Sequence, residues 1–387
     1  MIKVLVVEDS PVVREFLVYL LETDADIQVA GTADDGEAAL AAVARLKPDV
    51  ITMDIHMPKM DGLAATRRIM ETQPTPIVIV SGSTDPHENT TTFRAMEAGA
   101  LAVLGRPQGI GHPDHAAGAR ELLSTVKLMS EVKLVRRWPQ ARVEAPAANA
   151  VATAHSGSNG VGYAVRTFDG SERYAQRTLP LSPATALNSA ALAHGASAKL
   201  IAIGASTGGP PVLQTILSML PRDLPVPVLI VQHMAAGFTA SFVEWLAQSS
   251  GLPVQLAAHG VCPLPGRVYV APDEWHMKVA PDGSLVLSKD EAENGLRPSV
   301  GYLFRSLAAV HGDGVIAGLL TGMGRDGAAE LKLLKEKGAI TFAQDQASSV
   351  VHGMAGEAIR LDAASYVLAP DKIAAVLANL VMAPKGG

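Results

Sequence analysis

The stretch Leu200-Ile-Ala-Ile-Gly-Ala-Ser206-Thr-Gly-Gly-Pro210 combines a strand, a tight turn and the start of a helix. Its apolar part, Leu200–Ile203, predicts a short buried strand, which Gly204 is expected to end. Ser206 lies on the turn, and an amphipathic helix is predicted from Val212 to Leu220. This arrangement places a hydroxyl above the carboxyl end of a sheet, beside backbone N–H groups at a helix N-terminus. We therefore interpret Ser206 as a candidate nucleophile.

The composition is that of a globular protein large enough for two domains. The chain has 387 residues, of which 48% are hydrophobic and 18% are charged. The net charge of −6 argues against a nucleic-acid partner. The single cysteine, Cys262, excludes an internal disulfide and favours a reducing compartment. No signal-peptide pattern and no apolar run of about 18 residues is present, so a cytoplasmic protein without membrane insertion is expected.

The first third of the chain alternates between strand and helix patterns. The predicted strands are 2–7, 29–30, 50–53, 77–80 and 102–104, and the predicted helices are 11–21, 36–46, 62–71, 93–98 and 116–137. Alternation of this kind is typical of a doubly wound parallel α/β domain.

Three carboxylates follow two of these strands: Glu8 and Asp9 after the first, and Asp54 after the third. The carboxyl ends of parallel strands meet at one edge, so the acids are expected to lie together and to repel one another unless a cation joins them. Mg²⁺ suits such hard oxygen ligands. Alternatively, Glu8 and Asp9 merely cap the first helix, but three acids from two strands favour the metal site.

Several motifs resemble a response-regulator receiver domain over about residues 1–125. They are Val-Val-Glu8-Asp9-Ser, Asp54-Ile-His-Met-Pro58-Lys-Met-Asp61-Gly62, Ser81 after a strand, and Gly99-Ala100 with Arg106-Pro107. The resemblance implies a flavodoxin-like fold in which Asp54 accepts a phosphoryl group from a histidine kinase. It also implies Mg²⁺ bound by Glu8, Asp9 and Asp54, and switch positions at Ser81 and Arg106. Arg106 is a departure, because the family has lysine at this position.

The chain divides into three predicted regions. Residues 1–125 are the receiver domain, 126–198 contain a helix end and a linker, and 199–387 form a second domain. From Trp138 to about Ser197 alanine, serine, glycine and proline dominate without a sustained period, which predicts a long flexible linker.

The α/β alternation returns from Lys199, interrupted by a predicted hairpin around 277–288, and indicates a second doubly wound domain. Ser206, His233 and Asp326 each lie at or just after the carboxyl end of a predicted strand. A serine nucleophile needs a base, and the base needs an acid that orients it. The chain order of serine, histidine and acid differs from the order in α/β-hydrolases, so the fold is a different one.

Each of these residues also has a plainer explanation. The glycine-rich turn resembles a phosphate cradle, although a GxGxxG motif and a Walker lysine are absent. His233 alone is compatible with a core histidine, and Asp326 alone with the cap of the following helix. Together the three favour a triad. The competing bases are His259, His276, His311 and His352, of which His276 is the runner-up and is expected to line the site.

Four further motifs resemble the catalytic domain of chemotaxis protein-glutamate methylesterases over about residues 199–382. They are Ile203-Gly-Ala-Ser206-Thr-Gly-Gly-Pro, Val231-Gln-His233-Met, Arg297-Pro-Ser and Leu320-Thr-Gly-Met323-Gly-Arg-Asp326-Gly-Ala. The resemblance implies Ser206 as nucleophile, His233 as base and Asp326 as orienting acid. It makes Thr207 and the backbone of Met323 and Gly324 candidates for the oxyanion site. Two departures, Gly301 in place of an acid and Ala355 in place of proline, are expected not to touch the triad.

The resemblance implies hydrolysis of glutamyl methyl esters on methyl-accepting chemoreceptors, with release of methanol, and deamidation of receptor glutamines. No cofactor is expected for the esterase, and a monomer is expected. Phosphorylation of Asp54 is expected to release a receiver domain that lies across Ser206. The alternatives are a non-catalytic signalling scaffold, against which the intact triad argues, and a general esterase, which would act on small esters without a receptor.

Overall fold

The structure is a computed structural model that describes residues 1–82, 93–132 and 198–382. The predicted flexible linker lies outside these residues. Among the described helices, none has both the length and the apolar character needed to cross a membrane.

The N-terminal residues form a five-stranded parallel sheet with helices on both faces. Its strands are β1 (Ile2–Val7), β2 (Ile27–Ala33), β3 (Val50–Met53), β4 (Ile77–Ser81) and β5 (Ala102–Gly105), in the order β2-β1-β3-β4-β5. Its helices are α1 (Pro11–Glu22), α2 (Gly36–Leu46), α3 (Gly62–Thr72), α4 (93–97) and α5 (His115–Ser130). The doubly wound prediction is confirmed. The strand order reverses between β1 and β3, which brings Glu8 and Asp54 to adjacent strand ends.

The C-terminal residues form a seven-stranded parallel sheet, in the order β14-β13-β12-β6-β7-β9-β8. Its strands are β6 (Leu200–Ala205), β7 (Val228–Gln232), β8 (Val254–Leu256), β9 (Val268–Val270), β12 (Val315–Leu319), β13 (Ile340–Gln344) and β14 (Tyr366–Leu368). The predicted hairpin is present as antiparallel β10 (His276–Val279) and β11 (Leu285–Ser288). The helices are α6 (Gly209–Ser218), α7 (Thr239–Ser250), α8 (Val300–Val310), α9 (Ala328–Glu336), α10 (Met354–Arg360) and α11 (Pro370–Met382), with a 3₁₀ turn at Gly312–Gly314.

Strand β6 lies between β12 and β7 in the C-terminal sheet, with Gly204 opposite Leu319 and Ala205 opposite Gln232. The three strands that precede Ser206, His233 and Asp326 are therefore neighbours. Their shared carboxyl edge is the place where parallel α/β sheets bind ligands.

The prediction that Gly204 ends the first strand of this domain is wrong, because β6 continues through Ala205. A Cβ atom at Gly204 would lie 2.5 Å from Val300 Cγ1 and 2.8 Å from Leu319 Cδ2. Glycine is therefore required at this position for close packing of α8 on the sheet, and not for chain reversal.

Other element boundaries also differ from the predictions. Helix α6 begins at Gly209, three residues before the predicted start at Val212. Helix α5 ends at Ser130 and not at 137, because the Glu131 N–H donates to the Leu128 carbonyl and the Val132 N–H to the Met129 carbonyl, three residues back in each case. Two elements of seven and three residues, α10 and β14, were not predicted, because such short segments carry little periodicity.

Candidate active site

Ser206 follows β6 directly and is held in a tight turn. Its N–H donates to the Thr321 carbonyl at 3.0 Å. A Cβ atom at Gly322 would lie 2.7 Å from Ser206 Cβ, so the loop after β12 can approach the serine closely only with glycine there. Gly208 has a φ of +77°, a conformation that favours glycine. The turn thus holds Ser206 against the loop that follows β12.

His233 and Asp326 form a direct pair beside this turn. His233 Nε2 lies 2.9 Å from Asp326 Oδ2, and the two side chains are 9% and 5% exposed. This contact leaves Nδ1 of His233 as the ring nitrogen available to act as a base. The His233 N–H donates to the Ala205 carbonyl at 2.9 Å, which fixes His233 next to the serine turn. The structure therefore brings the three predicted residues to one edge of the sheet.

The Asp326 carboxylate also accepts hydrogen bonds from the N-terminus of α8. Oδ1 accepts from Ser299 Oγ at 2.9 Å and from Gly301 N at 3.1 Å, and Oδ2 accepts from Val300 N at 2.6 Å. Burial raises the pKa of Asp326, but the hydrogen bond and charge of His233 and these backbone N–H groups together hold it below its usual value. Asp326 is thus kept ionised by His233 and by the N-terminus of α8, and it does not cap α9, the helix that follows it.

The expectation that Gly301 does not touch the triad is wrong, since its N–H binds Asp326. A Cβ atom at Gly301 would lie 3.0 Å from Glu330 Oε2 and 3.2 Å from Asp326 Oδ1. An acidic side chain here would stand beside two carboxylates, and glycine avoids that repulsion. Ala355, the second departure, is buried in the core cluster of the C-terminal domain.

His276 is fully buried, and both of its ring nitrogens are engaged. Nδ1 accepts from the Ser299 N–H at 3.2 Å, so the proton is on Nε2, which donates to the Glu291 carbonyl at 3.1 Å. The ring stacks on Tyr302 with a centroid separation of 4.3 Å. His276 is therefore linked to Asp326 indirectly, because Ser299 hydrogen-bonds to both residues.

The candidate oxyanion donors are backbone N–H groups on both sides of the serine. Within the described part of the chain, the N–H groups of Thr207, Met323 and Gly324 donate to no other residue. Thr207 directly follows Ser206 in the chain. Met323 directly follows Gly322, the glycine that packs against Ser206. The Met323 side chain is 50% exposed, so solvent reaches this edge of the site.

Three residues that support the site were not predicted: Gln232, Ser299 and Thr321. Gln232 donates to the backbone carbonyls of Ser206 and His233, and Thr321 Oγ1 donates to the Thr207 carbonyl. Ser299 contacts Asp326, which is 27 residues away in the chain, so a local sequence pattern does not reveal the contact.

The N-terminal domain carries its own polar site. Glu8 and Asp54 are buried, Asp9 is exposed, and carboxylate oxygens of all three lie within 4.8 Å of one another. Burial, followed by the charge of Asp54, raises the pKa of Glu8 to about 7. Burial likewise raises the pKa of Asp54. A divalent cation would relieve this repulsion, so the three oxygen donors fit Mg²⁺.

Arg106 reaches this acidic cluster. Its Nη2 atom lies 3.2 Å from Glu8 Oε2 and 4.0 Å from Asp54 Oδ1. A Cβ atom at Gly82 would lie 2.7 Å from the Arg106 guanidinium carbon, so the glycine provides room for the longer side chain. Ser81 is buried at the end of β4, opposite Gly105.

Comparison with known proteins gives the same two-part organisation. A family profile described as CheB methylesterase matches residues 201–377, and one described as response regulator receiver domain matches residues 4–112. The protein-glutamate methylesterase/protein-glutamine glutaminase of Nitrosospira multiformis is 60% identical and covers 98% of this chain and 97% of its own length. A Geobacter metallireducens protein of the same name is 52% identical, with 99% of both chains covered.

Among solved structures, the catalytic domain of the Thermotoga maritima CheB methylesterase is 38% identical, with a TM-score of 0.46, and covers 48% of this chain and 99% of its own. Both full-length relatives match the chain across its two domains. The chain therefore belongs to the CheB family, the protein-glutamate methylesterase/protein-glutamine glutaminases that join a response regulator receiver domain to a methylesterase domain.

Proposed function

We propose that this chain hydrolyses glutamyl methyl esters on chemoreceptors and deamidates receptor glutamines, with Ser206, His233 and Asp326 as its triad. The observation that best supports this proposal is the His233–Asp326 pair. The N-terminus of α8 holds the pair in place next to the serine turn. The proposal includes a cytoplasmic location, which the single cysteine supports because it cannot form an internal disulfide.

The geometry supports a two-step acyl transfer. Ser206 Oγ attacks the ester carbonyl carbon while His233 takes the hydroxyl proton, and the N–H groups of Thr207, Met323 and Gly324 stabilise the oxyanion. His233 then returns the proton to the departing methoxide, which leaves as methanol. Water, activated by the same histidine, hydrolyses the acyl-enzyme to glutamate. With a glutamine substrate the leaving group is ammonia.

The reaction class is tested by comparing a methylated receptor with a small methyl ester as substrates. We expect methanol from the receptor at a rate far above that from the small ester, because the exposed edge at Met323 suits a protein surface. Equal rates on both would favour the general esterase. No methanol from the receptor, combined with receptor binding, would favour the signalling scaffold.

The proposal includes control by the receiver domain, supported by contacts between the two domains. Phe93 stacks on Trp245 of α7 with a centroid separation of 5.5 Å, and Trp245 Nε1 donates to Glu97 Oε1 at 2.9 Å. Val350 and Val351 pack against the hydrophobic core of the receiver domain. Val351 also bonds Thr321 and Gly322 beside Ser206, so the receiver touches a segment that borders the site.

Replacing Phe93 with alanine should raise methanol release by the unphosphorylated protein. An aromatic pair contributes about 0.5–1.5 kcal/mol, which corresponds to an increase of up to about tenfold if docking limits access. The control is Tyr19→Ala, which removes an exposed ring of the same domain. An unchanged rate in Phe93→Ala would argue against control through this contact.

Phosphorylation by a histidine kinase is proposed at Asp54. Glu8, Asp9 and Asp54 would hold Mg²⁺, which when bound neutralises the charge of the phosphoryl group and its carboxylate acceptor. A small-molecule phosphoryl donor should therefore stimulate methanol release by the wild-type protein and leave Asp54→Ala at its basal rate. Equal rates for wild type with donor, wild type without donor and Asp54→Ala would contradict phosphorylation control.

A further inference from the structure

Gln232, the last residue of β7, connects the backbones of two triad residues. It is 3% exposed. Its amide nitrogen lies 2.9 Å from the Ser206 carbonyl oxygen and 2.8 Å from the His233 carbonyl oxygen. A side-chain amide carries two N–H groups, so both donors are used on these carbonyls. These two contacts define the orientation of the Gln232 amide, because the reversed amide would place its oxygen against two carbonyl oxygens.

The other end of the amide shows that Gln232 is not a simple core residue. Its oxygen, Oε1, is buried and has no hydrogen-bond partner among the described residues. A buried acceptor without a partner destabilises the fold, and a methionine of similar length would not carry this cost. The glutamine therefore provides something other than packing.

Gly209 makes room for this amide. A Cβ atom at Gly209 would lie 2.2 Å from Gln232 Oε1, far inside van der Waals contact. The Gly209 N–H also donates to the Ser206 carbonyl, the same oxygen that Gln232 binds. Gly209 and Gln232 are thus a matched pair at the start of α6.

We propose that Gln232, accommodated by Gly209, is a positioning residue that fixes the nucleophile turn relative to the base. Gln232 and Gly209 together form the amide clamp. The proposal rests on the proposed function, because it assigns Ser206 and His233 as the groups that are aligned. Misplacement of reacting groups by about 1 Å lowers rates about 10²-fold, so losing the clamp should lower kcat by about that factor and leave KM unchanged.

The test uses the full-length protein and Gln232→Met, which keeps the side-chain length and removes both donors. Gly209→Ala disrupts the same clamp by adding a Cβ atom that would displace the Gln232 amide. Since both variants break the same clamp, their effects on kcat should not add in the double variant. If Gln232→Met does not fold, Gln232→Asn, which is too short to reach both carbonyls, carries the same expectation. Wild-type kcat in the folded Gln232 variant, or additive losses in the double variant, would overturn the proposal.

The matched control is Gln73→Met in the receiver domain, where the glutamine amide also donates to a backbone carbonyl, that of Val43. It should leave kcat unchanged. Amide hydrogen exchange gives a readout that does not depend on activity: peptides that contain Ser206 and His233 should exchange faster in Gln232→Met and not in Gln73→Met. Unchanged exchange would overturn the proposal. If the wild type released no methanol, the proposed function would fail, and the exchange data would still decide the clamp.

Discussion

Replacing Ser206 with alanine should lower methanol release from a methylated receptor roughly 10⁶-fold, the scale seen when a serine hydrolase loses its nucleophile. His233 and Asp326 remain paired in this variant, but no hydroxyl is left to form the acyl-enzyme. The measurement is methanol released per mole of enzyme under receptor excess.

The matched control for this variant is Ser218→Ala, which removes an exposed hydroxyl at the other end of α6. Both variants should bind the receptor as the wild type does, because the hydroxyl contributes little contact area. Methanol release by Ser206→Ala at the wild-type rate would exclude Ser206 as the nucleophile.

Replacing Asp326 with asparagine should lower kcat/KM roughly 10⁴-fold, because the amide cannot hold the imidazole in the required tautomer or stabilise its charged form. The same change should cost about 1–3 kcal/mol of unfolding free energy, since the N–H groups of Val300 and Gly301 lose a charged acceptor. The control is Asp282→Asn, which alters an exposed hairpin turn where the carboxylate accepts from Ser284.

The stability difference between wild type and Asp326→Asn should depend on pH in a defined direction. Since the folded pKa of Asp326 lies below its ordinary value, its ionised form stabilises the fold. This contribution is fully present above the unfolded pKa of about 3.9 and is lost as the pH falls through the folded pKa. Denaturant titrations measure the unfolding free energies of the wild type and Asp326→Asn. The difference between these two free energies should be constant from about pH 5 to 8 and should shrink below about pH 3.9. An increase in this free-energy difference on acidification would contradict a lowered pKa for Asp326 in the folded protein.

The sequence predicted that the three residues of the proposed triad share one sheet edge, because parallel strands place their carboxyl ends together. Ser206, His233 and Asp326 follow three apolar runs, and the register of β12, β6 and β7 makes those runs neighbours. The same logic placed Glu8, Asp9 and Asp54 together in the N-terminal domain.

The support for these residues could not be predicted, because it depends on tertiary contacts. Gly204 has the local signature of a strand end, but its missing Cβ accommodates Val300 and Leu319. Asp326 has the local signature of a helix cap, and it does accept from a helix N-terminus, but from that of α8, more than 20 residues earlier in the chain. Local patterns identified the chemical groups, and packing between distant segments determined what holds them.

Acyl transfer through Ser206 requires a covalent intermediate, and the identity of that intermediate can be measured. Wild-type enzyme is mixed with a methylated receptor, quenched in acid within the first turnover, digested and analysed by mass spectrometry for a receptor glutamyl group esterified to an enzyme peptide. We expect this ester on Ser206, with no ester in Ser206→Ala. An ester on a different residue, or conversion of glutamyl methyl esters to glutamate by Ser206→Ala, would contradict this expectation.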